Sequence, residues 1–302
     1  MISADIVDSF EVSGTYINSS MKNISKSPDM CAFCAYCSSY GKLSMSHAIP
    51  KAAFKTMLRA GSGKAIGIPK GDGDVHLTSD TGEAPLLCEK CENDFNRNFD
   101  GPLTNALKVL ENEIKRQGLR TTIDFPANQM AHAVGSVAWR IARSDALMFS
   151  EVVLSSKHME ELDALIRLPS DEVLKHCTVR IGRLIDKTPR KSGGFGDEWM
   201  GQFMKGPEVF STQKKRNGKF GHFMMDWTMF GFIVHIIVPR LPYPKSKKFG
   251  GLKRGATQIR AVPVDMLEYP PMRDALVAGF AAQEEDRLSP ALKKRADKRS
   301  KN

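Results

Sequence analysis

The chain has 302 residues, of which 41% are hydrophobic and 26% charged, and carries a formal net charge of +10. That balance excludes a disordered or fibrous chain and leaves room for one large domain or two ordinary ones, since single cores stop growing near about 250 to 300 residues. No apolar run reaches the roughly 20 residues of a membrane span, so a membrane is not an expected partner. Met1 to Lys22 carries Asp5, Asp8 and Glu11 without an apolar centre, which argues against a secretory leader and for a reducing, cytoplasmic setting.

Residues 1–30 are polar and read as an N-terminal arm with one edge strand. Residues 31–100 form the first module. A tight turn is expected at Ser38 to Gly41, a strand at Lys42 to Ser46, a short helix bearing Lys51, Lys55 and Arg59, and a long Gly- and Lys-rich loop through Gly61 to Asp74. In residues 101–186 helical spacing recurs: Leu103 to Ile114 ending at Gly118, Asn128 to about Phe149, Lys157 to Arg167, and Asp171 to Cys177 capped by Ser170 or Asp171. Thr188 to Gly196 is rich in breakers and reads as a loop.

Residues 187–302 change period. Phe220 to Trp227 and Met229 to Val238 have strand composition, with a bend or bulge at Gly231; Pro244 to Gly255 reads as loop, Gln258 to Val264 as a third strand, and Met272 to Gln283 as a short helix before a charged tail. Trp227, Phe230 and Phe232 are expected in the core, as is the lone thiol of Cys177.

Five of the six cysteines fall between Cys31 and Cys91. In a reducing setting such a grouping points to metal ligation and not to disulfides. Cys88 and Cys91 make one Cys-x-x-Cys pair, and Cys31, Cys34 and Cys37 compete for the other. Cys34 and Cys37 are chosen because their distance to Ser46 and His47 accommodates one turn and one strand. Two such pairs suit a single tetrahedral Zn²⁺, and a site closed by four thiolates keeps no open position, so the ion is expected to be structural.

The run Leu43-Ser44-Met45-Ser46-His47-Ala48-Ile49-Pro50-Lys51, set between Cys34-Ala35-Tyr36-Cys37 and Leu86-Leu87-Cys88-Glu89-Lys90-Cys91-Glu92, resembles the HNH, or His-Me finger, nucleases. It is most similar to a zinc-stabilised branch with Ser-His-x-Ile-Pro and Cys-x-x-Cys-Glu. The likeness covers residues 31 to about 100, and Ser136-Val137-Ala138-Trp139-Arg140 is similar to the helical region that follows in that branch. The resemblance implies a zinc-bound, treble-clef-like ββα module; together with the helices and strands read above, the expected fold is α+β, that module followed by a helical segment and a small antiparallel sheet. It also implies metal-dependent phosphodiester hydrolysis, with His47 as general base.

In that family Asp often precedes the histidine, Asn follows the last zinc cysteine, and another Asn stands before the third; this chain has Ser46, Glu92 and Glu83 there. Glu92, supplemented by Asn96 four residues on, is the expected seat of a catalytic Mg²⁺ or Mn²⁺.

The basic excess, concentrated in Lys214 to Arg216, Lys245 to Lys248 and Lys293 to Lys301, favours nucleic acid as partner. Lys51, Lys55 and the pair Arg140 and Arg143 are the candidate phosphate contacts. The expected function is a DNA endonuclease in anti-phage or mobile-element biology; the alternative is an inactive, zinc-organised nucleic-acid-binding protein.

Overall fold

The computed structural model describes residues 31–60, 63–68, 73–211 and 221–294. The expected N-terminal arm, the cluster Lys214 to Arg216 and most of the charged tail lie outside these residues. Within them the chain is mixed α and β, and no helix is long and apolar enough to cross a membrane.

The first module is β1 (Cys31–Phe33), β2 (Tyr40–His47), α1 (Lys51–Ala60), β3 (Ala65–Gly67), β4 (His76–Thr78), β5 (Glu83–Cys88) and α2 (Glu89–Phe95). Strands β1, β2 and β5 make an antiparallel sheet in that order, and β3 pairs with β4 inside the stretch expected to be loop. Register shifts between Ser44 and Met45: Ser44 faces Leu87 but Met45 faces Pro85. A bulge absorbs the extra residue and re-aims the strand beyond it. The unpaired Leu86 carbonyl instead accepts the Ala35 amide at 3.0 Å, which ties the first cysteine turn to β5.

A π-helical turn, Asn96–Asp100, carries α2 into α3 (Gly101–Gln117), where Pro102 sits in the opening turn and needs no amide partner. Strand β6 (Ile123–Asp124) precedes α4 (Ala127–Arg143), which is buried at Ala127 and from Met130 through Ile141. This helix stops short of the expected Phe149 because the Ser144 hydroxyl accepts the Ala146 amide at 3.2 Å and turns the chain. Helices α5 (Ser156–Leu165) and α6 (Ser170–His176) follow. The cap of α6 falls on Pro169, not on Ser170 or Asp171, and the Ser170 hydroxyl lies 2.8 Å from His132 Nδ1.

Thr178–Ile185, inside the stretch expected to be helical, is a strand, β7. With α7 (Asp197–Met200), β8 (Glu208–Ser211), β9 (Phe223–Met229), β10 (Phe232–Val238), α8 (Tyr243–Phe249), β11 (Gln258–Ile259), β12 (Val262–Asp265) and α9 (Pro270–Glu284) it completes the order. The main sheet runs β12-β7-β10-β9-β8; all its pairs are antiparallel except β12 with β7, so the sheet is mixed and larger than expected. Phe230 and Gly231, with φ of 55° and 78°, form the two-residue β9–β10 turn, so Gly231 is a hairpin residue and not a bulge. The expected third strand divides: β11 pairs with β6, and β12 lies at the sheet edge, where Pro263 is tolerated. Lys245, Lys247 and Lys248 lie on α8, whose Pro244 falls in its first turn, and not in a loop.

Both faces of β9 and β10 are buried, which explains their unbroken apolar runs. One apolar cluster extends from Cys34, Ile49, Phe54 and Leu87 through α3 to α6 and on to Trp227 and Ile236, so the first module shares its core with the helices and the sheet. Full burial of side chains such as Phe95, Trp139 or Trp227 contributes on the order of 1.5–3 kcal/mol each for a Val- to Phe-sized group.

Candidate metal centre and adjoining histidine

The sulfurs of Cys34, Cys37, Cys88 and Cys91 lie within 4.8 Å of one another, and Cys31 is not among them. The separation of Cys37 Sγ and Cys88 Sγ is 3.8 Å. A tetrahedron with zinc–sulfur bonds of about 2.3 Å has edges of about 3.8 Å, so the cage suits a metal ion such as zinc.

Local structure explains the cage. The Cys34 amide donates to Ser39 O at 2.9 Å and the Ser38 amide to Cys34 O at 2.9 Å, with Ser38 at φ 59°, so the chain folds back through a tight turn. Cys88 ends β5, and Cys91 lies in the first turn of α2.

Cys34 and Cys91 are buried, Cys88 is half-buried and Cys37 is exposed. The Ser39 hydroxyl, 3.0 Å away, and then its amide hold the Cys37 thiol down to about 6. Burial, followed by the neighbouring thiols, pushes Cys91 up, so metal uptake displaces a proton from the base of the cage.

His47 closes β2 and pairs in register with Glu83 on β5. Its Nε2 lies 3.2 Å from Thr81 Oγ1 and 3.5 Å from Glu83 Oε2. A carboxylate on that side favours the proton on Nε2, which leaves Nδ1 as the basic nitrogen. Burial lowers the His47 pKa from its ordinary value; Glu83 opposes this, and Lys51 and Arg140 reinforce it. The ring is therefore neutral at pH 7 and able to accept a proton.

Ser46, buried beside it, donates from its hydroxyl to Glu92 Oε2 at 2.6 Å, and Asn96 Nδ2 lies 3.5 Å from Glu92 Oε1. Strand, helix and cage thus meet at Ser46 and Glu92. Glu92 is half-buried, and its oxygens keep lone pairs beyond these two contacts, so the carboxylate retains room for one oxygen-ligand bond to a hydrated divalent ion.

The four basic candidates separate. Lys51 and Lys55 are exposed on α1, as is Arg59. Arg140 is 0% exposed: it pairs with Asp100 through both terminal nitrogens and donates from Nη1 to the His47 carbonyl at 2.9 Å. It has no face for a phosphate, which corrects the expectation placed on it. Arg143 is half-exposed but paired with Asp163, which also accepts the Trp139 indole N–H at 2.7 Å.

The residues missing from the sequence-based set are Thr81 and Asp100. Nothing in their neighbourhood marks them, because each acts across 34 or 40 residues of chain. Compared with protein-family models, with curated proteins and with solved structures, the chain matches none.

Proposed function

We propose that the protein is a metal-dependent endonuclease of the HNH, zinc-organised ββα type, acting on DNA. The observation that carries this reading is the junction of three parts: His47 at the end of β2, Ser46 bonded at 2.6 Å to Glu92, and Glu92 next to Cys91 of the cage. In this reading the cage holds a structural Zn²⁺ through Cys34, Cys37, Cys88 and Cys91.

His47 Nδ1 takes a proton from water as its oxygen attacks phosphorus, and the bond from phosphorus to the leaving sugar oxygen breaks. Thr81 and Glu83 hold the imidazole with Nε2 protonated. Glu92 and Asn96 would hold the divalent ion, which when bound neutralises charge on the phosphate and the leaving oxygen. Lys51, Lys55 and Arg59 present three exposed cations along the helix that follows the histidine, for the DNA backbone.

A second reading has one observation in its favour. The Ser46 hydroxyl engages Glu92 Oε2 at 2.6 Å where the family often has a second carboxylate in place of Ser46, as expected of a zinc-organised DNA-binding protein whose hydrolytic site has lapsed.

A supercoiled plasmid incubated with Mg²⁺ or Mn²⁺ decides between them. Wild-type protein should nick it, and His47→Ala should lose about 10²- to 10⁴-fold in rate while keeping its zinc. Salt-sensitive DNA binding with no metal-dependent nicking would reject the enzyme and leave the binding protein.

A further inference from the structure

Arg140 is too buried to meet substrate, yet its terminal guanidinium nitrogens link the histidine strand to the helix that carries Glu92. Its guanidinium grips Asp100, the last residue of the π-helical turn that continues α2, and the same Nη1 donates to the main-chain carbonyl of His47 at 2.9 Å. Nε lies 3.4 Å from Ser136 O, which fixes the side chain to its own helix, and the Phe95 ring covers it with its centroid 5.7 Å away. Trp139, the preceding residue, packs against Phe95 and against Tyr36 between the first two cage cysteines, with ring centroids 5.7 and 6.0 Å apart. Helix α4 therefore touches the cysteine turn through one residue and the histidine strand through the next.

We propose that Arg140 is the positioning residue of the site: anchored by Asp100, it fixes the His47 carbonyl and so the direction of the imidazole, without contacting substrate. This deepens the endonuclease reading and rests on it for its kinetic consequences only. A planar guanidinium can hold both Asp100 oxygens and a carbonyl at once; an ammonium in its place keeps the charge and loses that geometry. A shift of the imidazole by an ångström is enough to cost about a hundredfold in rate.

The test uses full-length protein carrying Arg140→Lys, and separately the double variant Arg140→Gln/Asp100→Asn, which removes both charges together and leaves none buried unpaired. Zinc content and cooperative unfolding report the fold. Plasmid-cleavage kinetics report kcat and KM, and NMR of the His47 ring reports its position and titration.

Both variants should keep one zinc per chain, lose at least about tenfold in kcat with KM within about twofold, and displace the His47 ring resonances. A folded, zinc-loaded double variant with wild-type kcat and unmoved His47 resonances overturns the proposal. So does an Arg140→Lys protein whose lost activity only tracks lost zinc. Should the wild type not cleave DNA, the endonuclease reading falls, while the ring resonances still decide the positioning role. If the double variant does not fold, Arg140→Lys decides alone by the same readings.

Discussion

Two regions of this protein bury polar chemistry, and they do so in opposite ways. At the cysteine cage, four ligands from two short turns gather at a rim, with Cys37 exposed and Cys91 buried, an arrangement that could be completed by a metal ion taken up from solution. On the main sheet, Arg180, His235, Asp226 and Glu208 stand opposite one another across β7, β10, β9 and β8, as Arg180↔His235, His235↔Asp226 and Glu208↔Asp226. Lys205 reaches Asp226 at 3.0 Å, Glu208 at 3.2 Å and Tyr269 at 3.4 Å. That row draws its charges from within the chain, two cations against two carboxylates, although Arg180 Nε and Nη1, Asp226 Oδ2 and His235 Nδ1 are buried without a hydrogen-bond partner, and it divides the apolar packing on its face into two clusters, one around Ile233 and Met266 and one around Ile237 and Phe249. A site that imports its charge balance is conditional on solution; one that supplies its own is permanent.

The largest expected effect tests the conditional region. Chelation, or Cys88→Ser, should release the metal and unfold the first module, because apparent binding energies of about 10–16 kcal/mol are reported by small zinc domains as folding energy. Loss of zinc by elemental analysis together with a lowered melting temperature is the expected pair of results. Cys31→Ser should change neither, since Cys31 lies outside the cage. Zinc retained in Cys88→Ser and lost in Cys31→Ser would reverse the ligand assignment.

A smaller effect tests the permanent region. Lys205→Met leaves the Asp226 carboxylate buried without its cation, a change that typically costs about 3–5 kcal/mol. Asp226, Tyr269 and Glu208 all lose the same partner. The loss should appear in denaturant unfolding whether or not metal is present. An unchanged midpoint would mean that the lysine does not hold the row.

The same contrast explains what the sequence makes legible. The cage is written in short spacings, two cysteines per turn, and the order of strand, histidine and second pair follows from the local pattern around Ser46 to Pro50. The helices of the middle segment announce themselves by apolar periodicity, Leu103 to Ile114 and Ala131 to Ile141 above all. Strand β7 does not, because Arg180 and Arg183 interrupt its apolar run and only register with β10 and β12 makes both arginines buried. Arg140 fails for the same reason in reverse: helical spacing with Arg143 suggests an exposed basic face, and its partner Asp100 is 40 residues away. Charged side chains are read as solvent-facing until a distant partner is known. Distant pairing is what a local pattern cannot carry.

The smallest expected effect separates the two regions by pH. His235 is buried between Arg180 and Lys205, and burial first, then those two cations, holds its pKa well below the ordinary value. Its Nε2 lies 4.0 Å from Asp226 Oδ2, a contact with a neutral ring and not an ion pair. Above about pH 7 neither the folded nor the unfolded imidazole carries a proton, so the residue leaves stability independent of pH. As pH falls through about 6.5, the unfolded chain takes up a proton that the native state refuses, and stability drops by up to about 1.4 kcal/mol per pH unit for each such group. Asp226 acts oppositely, because burial raises its pKa and the native state binds its proton more readily than the unfolded chain. His47 and His132, whose values burial also lowers, add to the His235 slope, so the wild-type slope alone does not identify the row. His235→Gln should therefore reduce the slope of unfolding free energy against pH between about 6.5 and 5 by up to one proton's worth while leaving zinc content unchanged. A slope identical to wild type would mean that the native imidazole takes up its proton in that range, and the row would then be as open to solution as the cage.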